Sequence, residues 1–352
     1  MQDTLSLGES MVLFTAPRGE SIECASYFTK SLGGAESNFA IGLARLGFKS
    51  SWYSLLGNDP LGRFILNAVR KEAVNISHVK LISTRRTGVY YKSIASDGNV
   101  AIVYDRKHSA FSHMTPADLD NHFIADHRIL HLTGITACLS RTCYETVLQT
   151  LTYFMGKATA SDLTTQKRHI LFDLNIRNKL WDTETSQQRL LALAKRCTLV
   201  LGSIDEYQKI ATPHLFNNIR AIATWVLDEL KIPAGIVKLG SAGAIYFDRK
   251  EEFIVPAFKI ATPIDPIGAG DAFAAGIAAG LLQNKTMYET LRQANAMGAI
   301  VLSGAGDIEP LPTPKKLATF IQTHRERTQT LKSPNESTAF FTSLASKLDS
   351  DR

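Results

Sequence analysis

The residues of this chain best suited to chemistry form one short run, Asp265-Pro266-Ile267-Gly268-Ala269-Gly270-Asp271, followed at once by AFAAGIAAGLL. That second stretch is apolar almost all round, the pattern of a buried helix. Small residues at 268, 269 and 270 let successive backbone N–H groups point at an anion without side-chain obstruction, and the helix dipole adds to the attraction. The run reads as a phosphate site. An aspartate in the first turn would repel a resting anion, so Asp271 is better suited to taking the proton from a hydroxyl that attacks phosphorus. A glycine-rich turn with Asp271 as a helix-capping group is the structural alternative. No GxxxxGK[ST] run occurs, and no GxGxxG follows a strand at a helix start, so P-loop and dinucleotide-binding readings lose their main supports.

The elements around this run alternate. Gly33-Gly34 precedes AESNFAIGLARLG, which has apolar residues at helical spacing and ends on Gly47; a strand is predicted at 52–56, and Asp59-Pro60 opens a second helix with Phe64, Ile65, Ala68 and Val69 on its apolar face. Two extended runs, GVYYKSIA and VAIVYD, flank Ser96-Asp97-Gly98-Asn99, a hairpin signal set into an otherwise α/β rhythm. Short apolar strands are then predicted at 129–132, 170–174 and 198–201, with a helix from about Arg141. Such runs suit a parallel sheet buried on both faces, and ligands of such sheets gather beyond the carboxyl ends of the strands. The informative loops are therefore Thr133-Gly134-Ile135, Asn175-Ile176-Arg177 and Ser203-Ile204-Asp205-Glu206.

The chain has 352 residues, 45% hydrophobic and 20% charged, and a formal net charge of +6. That is the composition of an ordinary globular protein. Its Lys and Arg are scattered, so nucleic acid is not an expected partner and an anionic small substrate accounts for the excess equally well. Cys24, Cys138, Cys143 and Cys197 have no zinc-like spacing and read as core or surface thiols; the nine histidines are not read as a metal set, and His131 is as compatible with the core as with a site. The N-terminus has no basic and apolar leader, and no apolar run approaches the roughly 20 residues that span a bilayer. Cytosol, with no membrane partner, is the expectation.

The stretch from Asp265 to Ala278 resembles the C-terminal signature of the PfkB carbohydrate kinases, and Gly33-Gly34-Ala35-Glu36-Ser37-Asn38, with Gly47 and Gly57, resembles their N-terminal one. The likeness covers nearly all of the chain but its tail. Within the family, the segments Tyr104-Asp105-Arg106-Lys107-His108-Ser109-Ala110, His131-Leu132-Thr133-Gly134-Ile135-Thr136 and Asp173-Leu174-Asn175-Ile176-Arg177-Asn178-Lys179-Leu180-Trp181 are most similar to 2-keto-3-deoxygluconate kinases.

That resemblance implies a ribokinase-like, doubly wound and mainly parallel sheet sandwiched by helices over residues 1–325, with a small β-lid from about 11–33 and 86–111, and a polar tail at 326–352 expected to fray. It implies that Asp271 is the catalytic base and that Gly268, Ala269 and Gly270 form the anion hole. Gly34, Asn38, Tyr90, Tyr104 and Ile135 would line a sugar pocket, and Asp307 would contact the sugar. The tyrosines could instead only pack in a sheet, and Asn38 could be a satisfied core amide. Arg106 and Arg177 could bind the carboxylate of an acid sugar, or be surface ion pairs. For the nucleotide the resemblance points to Lys238, Gly240, Gly243 and Asn295, although a glycine-rich strand-turn-strand is often only a hairpin. Glu206 matches the acidic end of the family's Asn-x-x-Glu magnesium motif, and Ser203 stands where the asparagine usually does. ATP and Mg²⁺ are the implied cofactors, with a monovalent cation as an optional third, and a homo-oligomer through the lid is implied by analogy. The implied reaction is phosphorylation of a ketoaldonate; kinases of a neutral sugar or nucleoside, and a non-catalytic sugar sensor, are the rivals.

Overall fold

The computed structural model describes residues 1–211 and 219–323; the segment 326–352 lies outside the described residues. The strands are β1 (Gln2–Leu7), β2 (Met11–Thr15), β3 (Thr29–Gly33), β4 (Ser50–Gly57), β5 (Val79–Ile82), β6 (Val89–Ile94), β7 (Val100–Asp105), β8 (His127–Thr133), β9 (His169–Asp173), β10 (Leu199–Ser203), β11 (Ala234–Lys238), β12 (Ala244–Asp248) and β13 (Glu252–Val255). The α-helices are α1 (Ala35–Arg45), α2 (Pro60–Lys71), α3 (Asn121–Ala125), α4 (Gly134–Leu139), α5 (Arg141–Met155), α6 (Ala160–Thr165), α7 (Thr183–Ala194), α8 (Ile204–Ile210), α9 (Ile219–Thr224), α10 (Ala269–Leu282), α11 (Met287–Leu302) and α12 (Pro314–Thr323).

One sheet has the order β13-β12-β11-β10-β9-β8-β1-β4-β5, and a second has the order β3-β2-β6-β7. From β5 to β11 every neighbour in the large sheet is parallel, and β12 and β13 close its edge as an antiparallel hairpin. Period-two alternation sends successive side chains to opposite faces. Ile129, Leu171, Leu199 and Leu201 join a core with Phe39, Phe273 and Met297. Leu130, Ile170, Phe172 and Val200 join another with Val147, Leu151 and Leu193. The doubly wound sheet sandwiched by helices is thus present, and the near-continuous apolar strands are explained by burial on both faces.

Winding sets the position of the site. From β1 the chain moves outward to β4 and β5, then returns to pair β8 on the other side of β1 and continues to β9, β10 and β11. The reversal between β1 and β8 opens a crevice beyond the carboxyl ends of the strands.

The smaller sheet covers that crevice. Its β6–β7 hairpin turns through residues 95–99, with Ile94 opposite Val100, and β2 pairs with β6 in parallel. Asp59 ties this lid to the body: it caps α2 by accepting from the Gly62 N–H at 2.7 Å, and its other oxygen accepts from the Thr87 N–H at 2.8 Å, just before β6.

Candidate active site

Asp271 lies in the first turn of α10, whose N-cap Gly268 has φ +82°. A β-carbon at 268 would stand 2.7 Å from the Asp307 carbonyl oxygen, so only glycine lets this turn close on the neighbouring loop. Amides of a first helical turn have no intrahelical acceptor, and Gly268 and Gly270 line a cavity of about 400 Å³. Ala269, between them, is not among the lining residues and packs against the core instead.

Asp271 is 9% exposed and its Oδ2 accepts from Asn38 Nδ2 at 2.8 Å. Burial pushes its carboxyl up to about 6; the Asn38 hydrogen bond and the Arg177 charge pull it down, and Asp173 and Asp307 add to the rise. The group is therefore ionised at neutral pH and still basic enough to receive a proton. Asn38 is not a satisfied core amide: its Oδ1 is buried with no hydrogen-bond partner among the described residues.

The expected sugar-pocket residues come together. Gly34, Asn38, Tyr90, Tyr104, Arg106, Ile135, Arg177 and Asp307 all line the cavity. Gly34 admits the chain because a β-carbon there would meet the Glu9 carbonyl oxygen at 2.5 Å. The Tyr90 and Tyr104 rings stack at 5.6 Å within the lid sheet and both residues line the cavity, with the Tyr90 hydroxyl donating to Asp307 Oδ2 at 2.9 Å.

The two arginines differ. Arg106 is already matched, its guanidinium 2.6 Å from the buried carboxylate of Glu9, which also accepts from the Ser109 hydroxyl. Arg177 stands exposed at the cavity, with no carboxylate within 4 Å among the described residues. The third lining cation, Lys238, is held by Asp173 at 2.7 Å and lies 3.7 Å from Glu206.

The residues assigned to the nucleotide are more dispersed. Lys238 and Glu206 line the cavity, but Ser203, Gly240, Gly243 and Asn295 do not. Ser203 caps α8, its hydroxyl accepting from the Glu206 N–H. Gly240 and Gly243 shape the β11–β12 hairpin turn with φ +57° and +111°. Asn295 donates to the Val255 and Pro256 carbonyls at 2.9 and 3.2 Å, so it joins α11 to the sheet edge. The two Glu206 oxygens accept from the Ile176 and Ser203 N–H groups, each at 2.8 Å. Among the described residues no cluster of three His, Cys, Asp or Glu could hold a metal ion.

Sequence reasoning missed four buried charges beside the cavity. Glu36 accepts from the Thr133 and Thr136 hydroxyls at 2.6 and 2.7 Å, and burial raises its carboxyl to about 7. Glu9 and Asp173 are the partners just described, and Lys92 is buried between Asp265 and Asp307. A signal existed for two of them. Glu36 is a carboxylate one position into a helix that is otherwise buried, and Lys92 interrupts the apolar face of a strand.

A buried carboxylate in the first turn of a helix, facing a cavity under a small sheet, could serve to move an anionic group onto a hydroxyl. The comparisons agree: the model of the pfkB family of carbohydrate kinases matches residues 1–314, and the chain belongs to that family. It is 32% identical over 346 residues to a 2-dehydro-3-deoxygluconokinase of Bacillus subtilis, covering 92% of this chain and 96% of the relative. A protein of the same description from Thermoproteus tenax is 30% identical, covering 90% and 93%. Among solved structures, a PfkB protein from Polaromonas sp. superposes with a TM-score of 0.77 at 33% identity, covering 90% of this chain and 99% of its own. An Escherichia coli ribokinase II-like protein, solved in complex with ATP and Mg²⁺, shares the fold at a TM-score of 0.81 and 24% identity, covering 92% and 100%. No helix among the described residues is long and apolar enough to cross a membrane.

Proposed function

We propose that this carbohydrate kinase transfers the γ-phosphoryl group of Mg-ATP to the primary hydroxyl of 2-keto-3-deoxygluconate or a close ketoaldonate, giving the 6-phosphate and ADP. The observation that carries the choice of an acid sugar is Arg177. Of the three cations that line the cavity among the described residues, Arg106 and Lys238 are spent on Glu9 and Asp173, and Arg177 alone of these is left for a substrate carboxylate. A guanidinium offers that carboxylate charge-assisted, bidentate hydrogen bonds. The relatives named as 2-dehydro-3-deoxygluconokinases support the same substrate.

In this reading the sugar lies under the lid against Gly34, Tyr90, Tyr104 and Ile135, with the free Asn38 Oδ1 accepting from one of its hydroxyls. Asp271 takes the hydroxyl proton as the sugar oxygen bonds to phosphorus and the bond from phosphorus to the leaving ADP oxygen breaks. The amides of residues 268–270 stabilise the charge on the transferred group. Mg²⁺ would enter with ATP as part of that substrate and neutralise charge on the phosphates, with Glu206 as the residue that would help to hold it. Lys238 borders the phosphates, while Gly240, Gly243, Ser203 and Asn295 shape the walls of the nucleotide groove. Seating the lid keeps out water, the competing nucleophile. The enzyme is cytosolic, and copies pair through the lid, whose Tyr27 and Val103 are exposed.

The test is ADP release from Mg-ATP against 2-keto-3-deoxygluconate, its galactonate epimer, fructose, ribose and adenosine. Turnover confined to the ketoaldonates supports the proposal, and preference for a neutral sugar overturns it. Arg177→Ala is expected to raise KM for the acid sugar about 30-fold, the loss of a ~2 kcal/mol charge-assisted contact. An unchanged KM would remove Arg177 from the substrate.

A further inference from the structure

The chemistry above leaves unexplained a lysine with no exposed surface. Lys92 stands on β6 of the lid, two residues after Tyr90 and so on the same face of the strand, and is 0% exposed. Its Nζ lies 2.6 Å from Asp265 Oδ2 and 3.4 Å from Asp307 Oδ1. Asp265 holds the entry to the anion-binding turn, accepting from the Ile267 N–H at 3.1 Å and from the Gly306 N–H at 3.4 Å. Asp307 accepts from Tyr90 and presents its backbone to Gly268. Both segments that shape the turn, 265–268 and 304–307, are therefore anchored through carboxylates to one strand of the lid. Burying an ammonium with two carboxylates is costly, and apolar residues of similar volume are often as stable. Stability alone does not account for the triad.

We propose that Lys92 is a positioning residue for phosphoryl transfer: an ammonium carried by the lid that sets residues 265–270 in their anion-binding shape, so that the turn is fully formed only while the lid is seated. The inference rests on the phosphoryl-transfer reading of this turn and not on which sugar is phosphorylated. Without the ammonium, two buried carboxylates face each other across the gap between the segments, and their repulsion spreads the turn. Donors aimed at developing charge lose effect when displaced, so the loss falls on the chemical step more than on binding.

The experiment is steady-state kinetics and thermal melting of wild type, Lys92→Met, Lys92→Ala, Lys92→Met/Asp265→Asn and Asp271→Asn, using the sugar that wild type turns over best. Lys92→Met is expected to lose about 100-fold in kcat, with KM for sugar and ATP within about threefold. Ammonium chloride at tens of millimolar is expected to recover about tenfold in Lys92→Ala by refilling the vacated space, and to leave wild type and Asp271→Asn unchanged. The double variant has no unpaired ammonium partner at position 265 and keeps the fold; it is expected to stay about tenfold slow or worse and to ignore ammonium. A folded Lys92→Met or double variant with near-normal kcat, or a folded and slow Lys92→Ala that ammonium does not help, would overturn the proposal. Should Lys92→Met fail to fold, the double variant decides. Near-normal turnover by Asp271→Asn would instead refute the reading of the turn on which the inference rests.

Discussion

Asp271→Asn should slow the enzyme and stabilise it at once. The carboxyl rises from an ordinary 3.8 to about 6, chiefly through burial. Those roughly two pH units, at about 1.4 kcal/mol each, amount to ~3 kcal/mol of folding free energy. The folded chain holds the proton more tightly than the unfolded one. The ionised group therefore costs nothing below about pH 3.8, an increasing amount from there to about 6, and its full penalty above. An amide at 271 carries no charge to desolvate and can still accept from Asn38. At about 2.1 cal/mol/K per residue over some 300 described residues, ~3 kcal/mol corresponds to a Tm gain of about 5 °C at pH 8, fading to zero near pH 4. Loss of the base should cut kcat by about 10²–10⁴. Scanning calorimetry across pH and a coupled ADP assay measure the two effects. The reasoning fails if the gain in Tm grows as pH falls, or if turnover stays within about tenfold of wild type.

The remaining predictions concern the same cavity. Plotted against pH, kcat/KM should fall on the acid side as Asp271 is protonated near pH 6; a profile flat down to pH 5 would contradict the assignment of the base. Gly268→Ala places a β-carbon 2.7 Å from the Asp307 carbonyl at φ +82°, and should cost about 1–3 kcal/mol in urea unfolding together with most of kcat. Glu9→Gln leaves Arg106 without its buried partner and should destabilise by about 3–5 kcal/mol. A change below about 1 kcal/mol would mean that the pair is screened by water.

Legibility of the sequence followed the range of the physics. Features set by neighbours in the chain could be read directly: the Asp59-Pro60 start of α2, the hairpin around Gly98, and the run of small residues before Asp271 each carry a local rule. Lid boundaries at 11–33 and 86–111 enclose β2, β3, β6 and β7, and the residues assigned to the sugar pocket do meet in one cavity. What stayed hidden depends on who meets whom across the fold. Nothing near Arg106 in the chain announces Glu9, 97 residues away, and nothing near Lys92 announces Asp265 or Asp307. Both arginines looked equally available because availability is a property of the partner. Asn295 and Ser203 drew attention through the family resemblance: the bond of Asn295 to the Val255 carbonyl, 40 residues away, is one no spacing rule would show, whereas the Ser203–Glu206 cap is the Ser-x-x-Glu box that spacing does show.

The parallel pairing of β2 with β6 has a consequence for the order of assembly. Its first partners, Val12 and Val89, are separated by β3, α1, β4, α2 and β5. Closing that loop gains nothing until those elements have docked, so the lid belongs to the slow, non-local part of folding. By the same logic it is the part released most readily in the native state, as a sub-global opening that leaves the large sheet intact. Amide exchange should report β6 and β7 as a unit with weaker protection than β8 and β9. On the proposal made for Lys92, each such opening would withdraw Lys92 and Tyr90 together from Asp265 and Asp307, so the anion-binding turn would lose its shape whenever the lid lets go.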